Sequence, residues 1–464
     1  MFPRIKAESA SVKRYALIIT TVAAFLSPFG ISSVNIALPS IGKEFQMDAI
    51  LLSWVTTAYI LASTIFLVPF GKLADMYGRK RIFTYGILTF AVSSFGAAVS
   101  HSSGMLILFR ILQGIGAAAN FCVGGAILSS VFTTEDLGKV LGINLAAVYV
   151  GYTAGPFFGG SLTQHLGWRS IFFVNVFLGL MIIAFTLWKL KGEWRESERK
   201  KFDLPGSTLY GITLLLIMYG FSQLSSATGV WLILAGAVGA LGFIKRETVT
   251  ESPVLDMKLF RHNKVFSYFN VATLINYSAT YAVSFLLSLY LQFIKDLPPQ
   301  AAGLVLISQP IVQALFSPVA GRLSDRIEPQ RVASAGMALT GVGLFLLALL
   351  SEASPIAFIV AVTALIGLGL GLFASPSIKA VLSSVESRYY GVASGAVGTM
   401  RGMGMVFSMG VTLLMFSIYI GEVQITPKYY PVFLKCTKTA FAFFAVICLV
   451  GVFASLARGK PQRE

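Results

Sequence analysis

The sequence predicts an all-α polytopic membrane protein: two six-helix bundles with two further helices inserted between them, fourteen spans in all. Three observations predict it. The 464 residues are 56% hydrophobic and only 12% charged, with a mean hydropathy of +0.77, whereas a soluble domain carries about 25% charged residues. The bases fall almost entirely on one side of the alternating apolar runs. The second half of the chain also repeats glycines and an acid of the first.

A helix needs about 20 apolar residues to cross the hydrocarbon core. The first such run, near 14–38, is span-length and lacks an obvious cleavage site, so it reads as a helix rather than a leader. The second, near 50–71, ends in "GKLADMYGRKR" (71–81). The third and fourth lie near 82–100 and 104–131, the fourth carrying Arg110 and Cys122. The fifth, near 137–164, holds "GYTAGPFFGG" (151–160), and the sixth lies near 169–190. The seventh and eighth, near 204–225 and 229–245, are the inserted pair. The ninth, near 265–294, bears a tyrosine and serine stripe. The tenth, near 300–321, runs into "GRLSDRIEPQR" (321–331). The eleventh to fourteenth lie near 331–351, 355–379, 390–418 and 437–457.

With the N-terminus assigned to the cytoplasm, 28 Lys and Arg lie on that side and six on the other, leaving Arg110 and Arg401 within spans. This positive-inside asymmetry places both termini in the cytoplasm. The net charge of +16 would suggest nucleic acid in a soluble chain. Here the bases lie in short loops between apolar spans, and no nucleic-acid partner is expected. Three cysteines form neither a zinc spacing nor a disulfide framework.

Gly71, Leu73 and Asp75 recur as Gly321, Leu323 and Asp325, 250 residues later. Five glycine pairs recur at an offset of 253: Gly114/Gly367, Gly116/Gly369, Gly138/Gly391, Gly142/Gly395 and Gly151/Gly404. Several coincidences at one offset indicate duplication, and internal repeats of this kind mark secondary transporters. The expected division is therefore 1–195, 196–262 for the inserted pair with its linkers, and 263–464.

These stretches carry a resemblance. The chain resembles major facilitator superfamily transporters of the fourteen-span drug:proton antiporter type. "GKLADMYGRKR" is similar to the signature loop between the second and third helices, "RILQGIGAA" (110–118) to the fourth-helix motif, and "GYTAGPFFGG" to the fifth-helix motif of exporters. "VNIALPSI" (34–41), "WVTTAY" (54–59), "GWRSIFFVNV" (167–176), "FDLPG" (202–206) and "SPVLDMKLF" (252–260) continue it, so the resemblance spans the chain. It implies a multi-pass plasma-membrane protein, expected to be a monomer. It would export amphiphilic small molecules by alternating access, with protons as the coupling ion.

The resemblance also implies roles. Gly71, Asp75, Gly78 and Arg79, with Asp325 and Arg388, would form a latch between the halves, Asp75 accepting from a helix start at Arg388 to Gly391. A mere topology signal is the alternative. Arg110 with Gln113 would serve coupling or orient a polar cavity, or else be a structural arginine, since a cation at that depth costs about 2.5–3.5 kcal/mol on insertion scales. Gly151, Gly155 and Gly159, every fourth residue, offer a smooth face for a close partner, and Pro156 bends the helix. In the ninth span Tyr277, Tyr281, Ser284 and Ser288 share one face, which lines a cavity or packs against the inserted pair. Asn35, Trp54, Tyr59, Asn120, Asn276, Gln309, Gln313 and Arg401 complete the expected mid-membrane site.

One absence sets this chain apart. No predicted span contains Asp or Glu, and the register where related pumps carry an acid in the first span falls on Gly30. A buried acid is the ordinary carrier of a proton or partner of a cationic drug. A neutral or anionic metabolite, without classical proton antiport, is therefore the alternative substrate class. His101, His165 and His262 lie in loops or at span edges with no metal spacing, and no nucleophile motif or P-loop occurs. Neither an enzyme, a metal nor a cofactor is expected.

Overall fold

A computed structural model describes residues 10–194, 203–224, 226–250, 253, 257–386 and 390–456, with the side chains of 134, 135, 258, 391 and 454–456 outside the description. The described chain is helical throughout. In order come α1 (Ala10–Glu44), α2 (Ala49–Tyr77), α3 (Arg79–Ala98), α4 (Ser103–Val131), α5 (Thr134–Leu166), α6 (Arg169–Lys189), α7 (Leu204–Ser222) and α8 (Ala227–Val249). The short α9 (Met257–His262) precedes α10 (Lys264–Leu289), which continues as a π turn to Ile294. Then follow α11 (Pro299–Leu306), α12 (Ser308–Arg326), α13 (Pro329–Ala348), α14 (Ile356–Ser383), α15 (Tyr390–Tyr419) and α16 (Tyr430–Leu456).

Among the described residues, thirteen helical segments are long and apolar enough to cross a membrane. The predicted third span corresponds to α3, which opens with Arg79, Lys80 and Arg81 and packs between α4 and α6. Helix starts follow local chemistry: Asp48, Ser102 and Asn263 accept from the backbone N–H groups of Leu51, Met105 and Phe266 at 2.8, 3.2 and 2.9 Å. Large apolar side chains such as Phe177 and Trp231, 68% and 70% exposed, point outward, where a bilayer replaces water as solvent.

One span carries an internal break and one expected boundary needs correction. The tenth span, Pro299–Arg326, crosses as one segment built of two helices, α11 and α12, broken at Ile307. Pro310 explains the break, because it has no N–H to donate to Leu306 and its ring crowds that carbonyl. The last helix begins at Tyr430 rather than near 437, its first turns holding the bases Lys435 and Lys438 that ended the apolar run in the sequence.

The repeat is visible in the packing. Helices α1 to α6 pack mainly on one another, as do α10 and α12 to α16, whereas the short α11 lies mainly against α5. A Cβ on Gly114 would strike the Tyr59 carbonyl, and one on Gly367 the Gln309 carbonyl, 250 residues on. Gly116 faces Gly86 O and Phe90 N at 2.6 Å, while Gly369 faces Gly336 O at 2.6 Å and Thr340. Gly151 meets Phe25 O and Gly404 meets Leu274 O, both at 2.6 Å. Each paired glycine lets its helix approach the equivalent neighbour at backbone contact. Gly138, Gly142 and Gly395 face open space, so their recurrence has no packing reason.

The inserted pair sits to one side. Helix α7 touches both α2 and α15: Tyr219 lies 6.4 Å from the Trp54 ring, and Met218 and Phe221 lie 3.0 and 2.7 Å from the Cβ position of Gly410. Helix α8 rests on α7. Asp203 secures the pair, capping α7 through Gly206 N at 3.0 Å and pairing with Arg246 of α8 at 2.7 Å. Burial opposes ionisation of Asp203, but the hydrogen bonds from Arg246 and Gly206 outweigh it and hold the carboxyl below the usual range. A depressed folded-state pKa contributes stability that is present above the unfolded value and lost as pH falls through the folded one. Asp203→Ala is therefore expected to lower the thermal midpoint at neutral pH and to erase the acid-side loss below about pH 4. Melting curves of both proteins across pH check this; parallel curves at every pH would contradict it.

Candidate functional site

Arg110 of α4 is fully buried. Its Nε donates to Val55 O of α2 at 3.0 Å, its Nη1 donates to Gln113 Oε1 one turn on, and its guanidinium lies 4.3 Å from the Tyr59 ring centre. Gln113 is fixed in turn by donating to Ser94 Oγ of α3 at 2.7 Å. A cation that deep must be paid for by carbonyls and π-faces, and both are present.

Arg401 of α15 is the second buried cation. It stacks 4.8 Å from the Tyr277 ring of α10, and Tyr149 and Tyr152 of α5 lie beside it. The Tyr149 hydroxyl approaches Ser317 Oγ of α12 at 3.5 Å and neighbours Gln313. Tyr281, one turn beyond Tyr277, lies near both Arg110 and Arg401. Side chains from α2, α4 and α5 thus meet side chains from α10, α12 and α15 around two arginines. No ion pair reaches either arginine among the described residues. Such a site can stack an aromatic ring and accept negative charge.

At the end of the bundle away from the termini the two helix sets touch. Ser288 Oγ donates to Asn35 O at 2.7 Å and Gln292 Nε2 to Ile36 O at 3.0 Å. Gly303 of α11 lies against the Pro156 carbonyl of α5, and Gly160 of α5 against Pro299 O at 2.5 Å. Gln424 and Val423 bond Gln46 and Ala49 across the same end, at 2.8 and 3.1 Å. The glycine face of "GYTAGPFFGG" does not form this seam. Gly151, Gly155 and Gly159 pack on α1, at Phe25, Ser32 and Ser33, within the first helix set.

The signature stretch is engaged within the first helix set. Asp75 accepts from Arg79 at 2.8 and 3.0 Å, and Arg79 donates onward to Ala126 O at 3.0 Å and to Ser130 Oγ of α4. In this stretch the helix start bound by an acid is that of α3, and the acid is Glu193. Its carboxylate accepts from Lys80 N at 2.8 Å and Arg81 N at 3.2 Å, while Trp194 O accepts from Arg79 N at 2.8 Å. Gly78, at φ +112°, is required here, since a side chain would meet Glu193 at 2.5 Å. Gly71 faces Cys122 Sγ at 2.9 Å, and Asp325 pairs with Lys379 of α14. Arg388 lies outside the described residues. Asp75→Asn is expected to leave folding nearly intact, since a partly exposed i,i+4 pair contributes about 0.3–0.5 kcal/mol, yet to reduce transport. Transport rates with accessibility labelling from each side test it; unchanged values in both would remove the latch role.

Of the expected mid-membrane residues, the fold gathers Tyr59, Tyr277, Tyr281, Gln313, Arg110 and Arg401. Others lie elsewhere. Asn35 accepts from Thr56 at 3.0 Å beneath the far seam, Trp54 faces the inserted α7, and Asn120 ties α4 to Ala23 O of α1 at 2.8 Å. Asn276 is fully buried on α10, and the Gln309 backbone receives Gly367. The ninth-span stripe faces α1 and the arginines rather than the inserted pair. Gly30 faces Asn175 of α6 at 3.3 Å and Phe90 at 3.5 Å, so an acid there would enter the first helix set and not the arginine cluster. Sequence reasoning missed Tyr149, Tyr152, Ser317 and Glu193. The i,i+3 spacing of the two tyrosines, on the helix of the glycine motif, was the available signal. Glu193 carried one too, as an acid amid a basic linker.

The sequence model described as Major Facilitator Superfamily matches residues 20–272 and again 269–464. The chain is 30% identical over 444 residues to the riboflavin transporter RibZ of Clostridioides difficile, covering 96% of this chain and 97% of that one. It is 30% identical to the multidrug resistance protein Stp of Mycobacterium tuberculosis, covering 85% and 74%. Among solved structures, it superposes with a TM-score of 0.72 on a bacterial homolog of the human lysosomal transporter Spinster, in an inward-facing and occupied conformation. That likeness covers 98% of this chain and all of the other at 14% identity.

Proposed function

Because this chain belongs to the Major Facilitator Superfamily, we propose that it is a secondary active transporter of amphiphilic, aromatic small molecules that works by alternating access. The observation that carries this reading is the meeting of Arg110 and Arg401 with tyrosines from both helix sets. Substrate would lie there between the sets. The closed seam away from the termini supports an inward-open stage of the cycle, in which the sets have rocked together at the outer end. Charge asymmetry supports cytoplasmic termini and a plasma-membrane setting. The protein is read as a monomer.

Within this function, drug-efflux-like export is the first reading, supported by the similarity to Stp and other named resistance proteins. The second is movement of a neutral or anionic metabolite without classical proton antiport. Its support is specific: no acid stands in the arginine cluster, and the riboflavin transporter aligns over nearly its full length. Proteoliposomes with an imposed pH gradient separate the two. Uptake of cationic dyes that follows the proton gradient favours antiport of drugs. Uptake of riboflavin or carboxylate dyes that ignores it favours the metabolite. No uptake of any of them removes the transporter reading for this substrate class.

A further inference from the structure

We propose that Arg110, Tyr59 and Tyr281 form a seat for a single monoanionic oxygen or halide, closed across the two helix sets. The inference rests on the transporter reading only for the identity of the occupant. Its basis is a count of hydrogen-bonding capacity around Arg110. Guanidinium offers five N–H donors and no acceptor. Nε is used by Val55 O and Nη1 by Gln113, whose amide nitrogen is already spent on Ser94. Nη2 is buried with no partner among the described residues.

Two hydroxyls share that condition: that of Tyr59, whose ring centre lies 4.3 Å from the guanidinium, and that of Tyr281 across on α10, which feels its charge. By hydrogen-bond geometry neither the Tyr59 nor the Tyr281 hydroxyl has a partner among the described residues. A buried unpaired polar group is destabilising, more so if charged, and these three lie close enough to feel one another's charge and share a single deficit. All three can donate, so what the site lacks is an acceptor. Every partner Arg110 does have is neutral, which leaves its positive charge uncompensated. One anionic atom answers both needs; a water molecule answers only the first. Arg110 and Tyr59 come from α4 and α2, whereas Tyr281 comes from α10. An anion held by all three would therefore bind the helix sets to each other and favour the stage in which they approach.

The occupant is either an anionic group of the transported molecule or a free halide. Tyr281→Phe keeps the ring and removes only the hydroxyl. In lipid nanodiscs, equilibrium binding of a carboxylate dye and its methyl ester gives a carboxylate-to-ester preference. If the substrate supplies the anion, this preference falls about tenfold in Tyr281→Phe, and similarly in Tyr59→Phe, as expected for losing one hydrogen bond to a charged group. If a halide supplies it, the thermal midpoint of the parent rises when chloride replaces gluconate at fixed ionic strength, and both variants lose that rise. Parental preference together with a parental chloride response in both variants overturns the proposal. Liposomes that move none of the probes, while the Tyr281-dependent response persists, would sink the transport reading and leave the seat standing.

Discussion

Gly155→Leu is expected to abolish transport and lower thermal stability, while Gly142→Leu, on the same helix, leaves both near the parental values. A Cβ on Gly155 would collide with Ser32 Oγ and lie 2.9 Å from Ser32 Cβ and 3.0 Å from Ser33 N. The obstruction includes backbone, so a rotamer change cannot relieve it. Ser32 Oγ is itself committed, donating to Pro28 O at 2.7 Å. Overpacking of this kind costs about 1–3 kcal/mol even before the remaining leucine atoms are placed. Helix α5 would have to move off α1, carrying Tyr149 and Tyr152 away from Arg401 and Gly160 away from Pro299. Gly142 has nothing within 4 Å of its Cβ position. Uptake assays and melting curves on the two variants decide the matter. A transporting Gly155→Leu protein would show that α1 and α5 need not touch at Ser32.

The second large effect is expected from Arg401→Gln. The substitution removes the cation over Tyr277 and the only positive charge beside Tyr149 and Tyr152 among the described residues. Charge-assisted hydrogen bonds are worth about 1.5–3 kcal/mol, so affinity for a carboxylate-bearing probe should fall roughly ten- to a hundredfold. A neutral aromatic analogue should lose much less, because the tyrosine faces remain. A cationic dye should gain, since like-charge repulsion is relieved. Matched probes bound to the purified variant test all three. Equal losses for all of them would mean that Arg401 holds the helix packing and does not read substrate charge.

Much of the architecture is legible in the sequence because bilayer insertion depends on simple local properties: apolar length, flanking bases and the spacing of glycines. Paired glycines such as Gly114 and Gly367 announce themselves because backbone contact tolerates no other residue at either copy. Arg110 and Arg401 stand out because a cation in an apolar run demands an explanation. Asn35, Trp54 and Asn120 carry the same polar signal as Tyr277, yet each is spent on a neighbour within or beside the first helix set. Polarity in a span reports that a partner exists and not which one.

The sequence by itself determined the class: a helical, multi-pass membrane protein of the Major Facilitator Superfamily, duplicated, with no acid in its predicted spans. Tertiary structure alone decided which side chains share a space. It brought Tyr149 and Tyr152 to Arg401, turned Gly30 toward Asn175, set Glu193 on the start of α3, and kept the glycine face of α5 for α1. The physical reason is rotational. Hydropathy says that a helix crosses the membrane but barely constrains its angle about its own axis when every face is apolar. That angle, which chooses between cavity and packing, is set by backbone contacts between helices far apart in the chain.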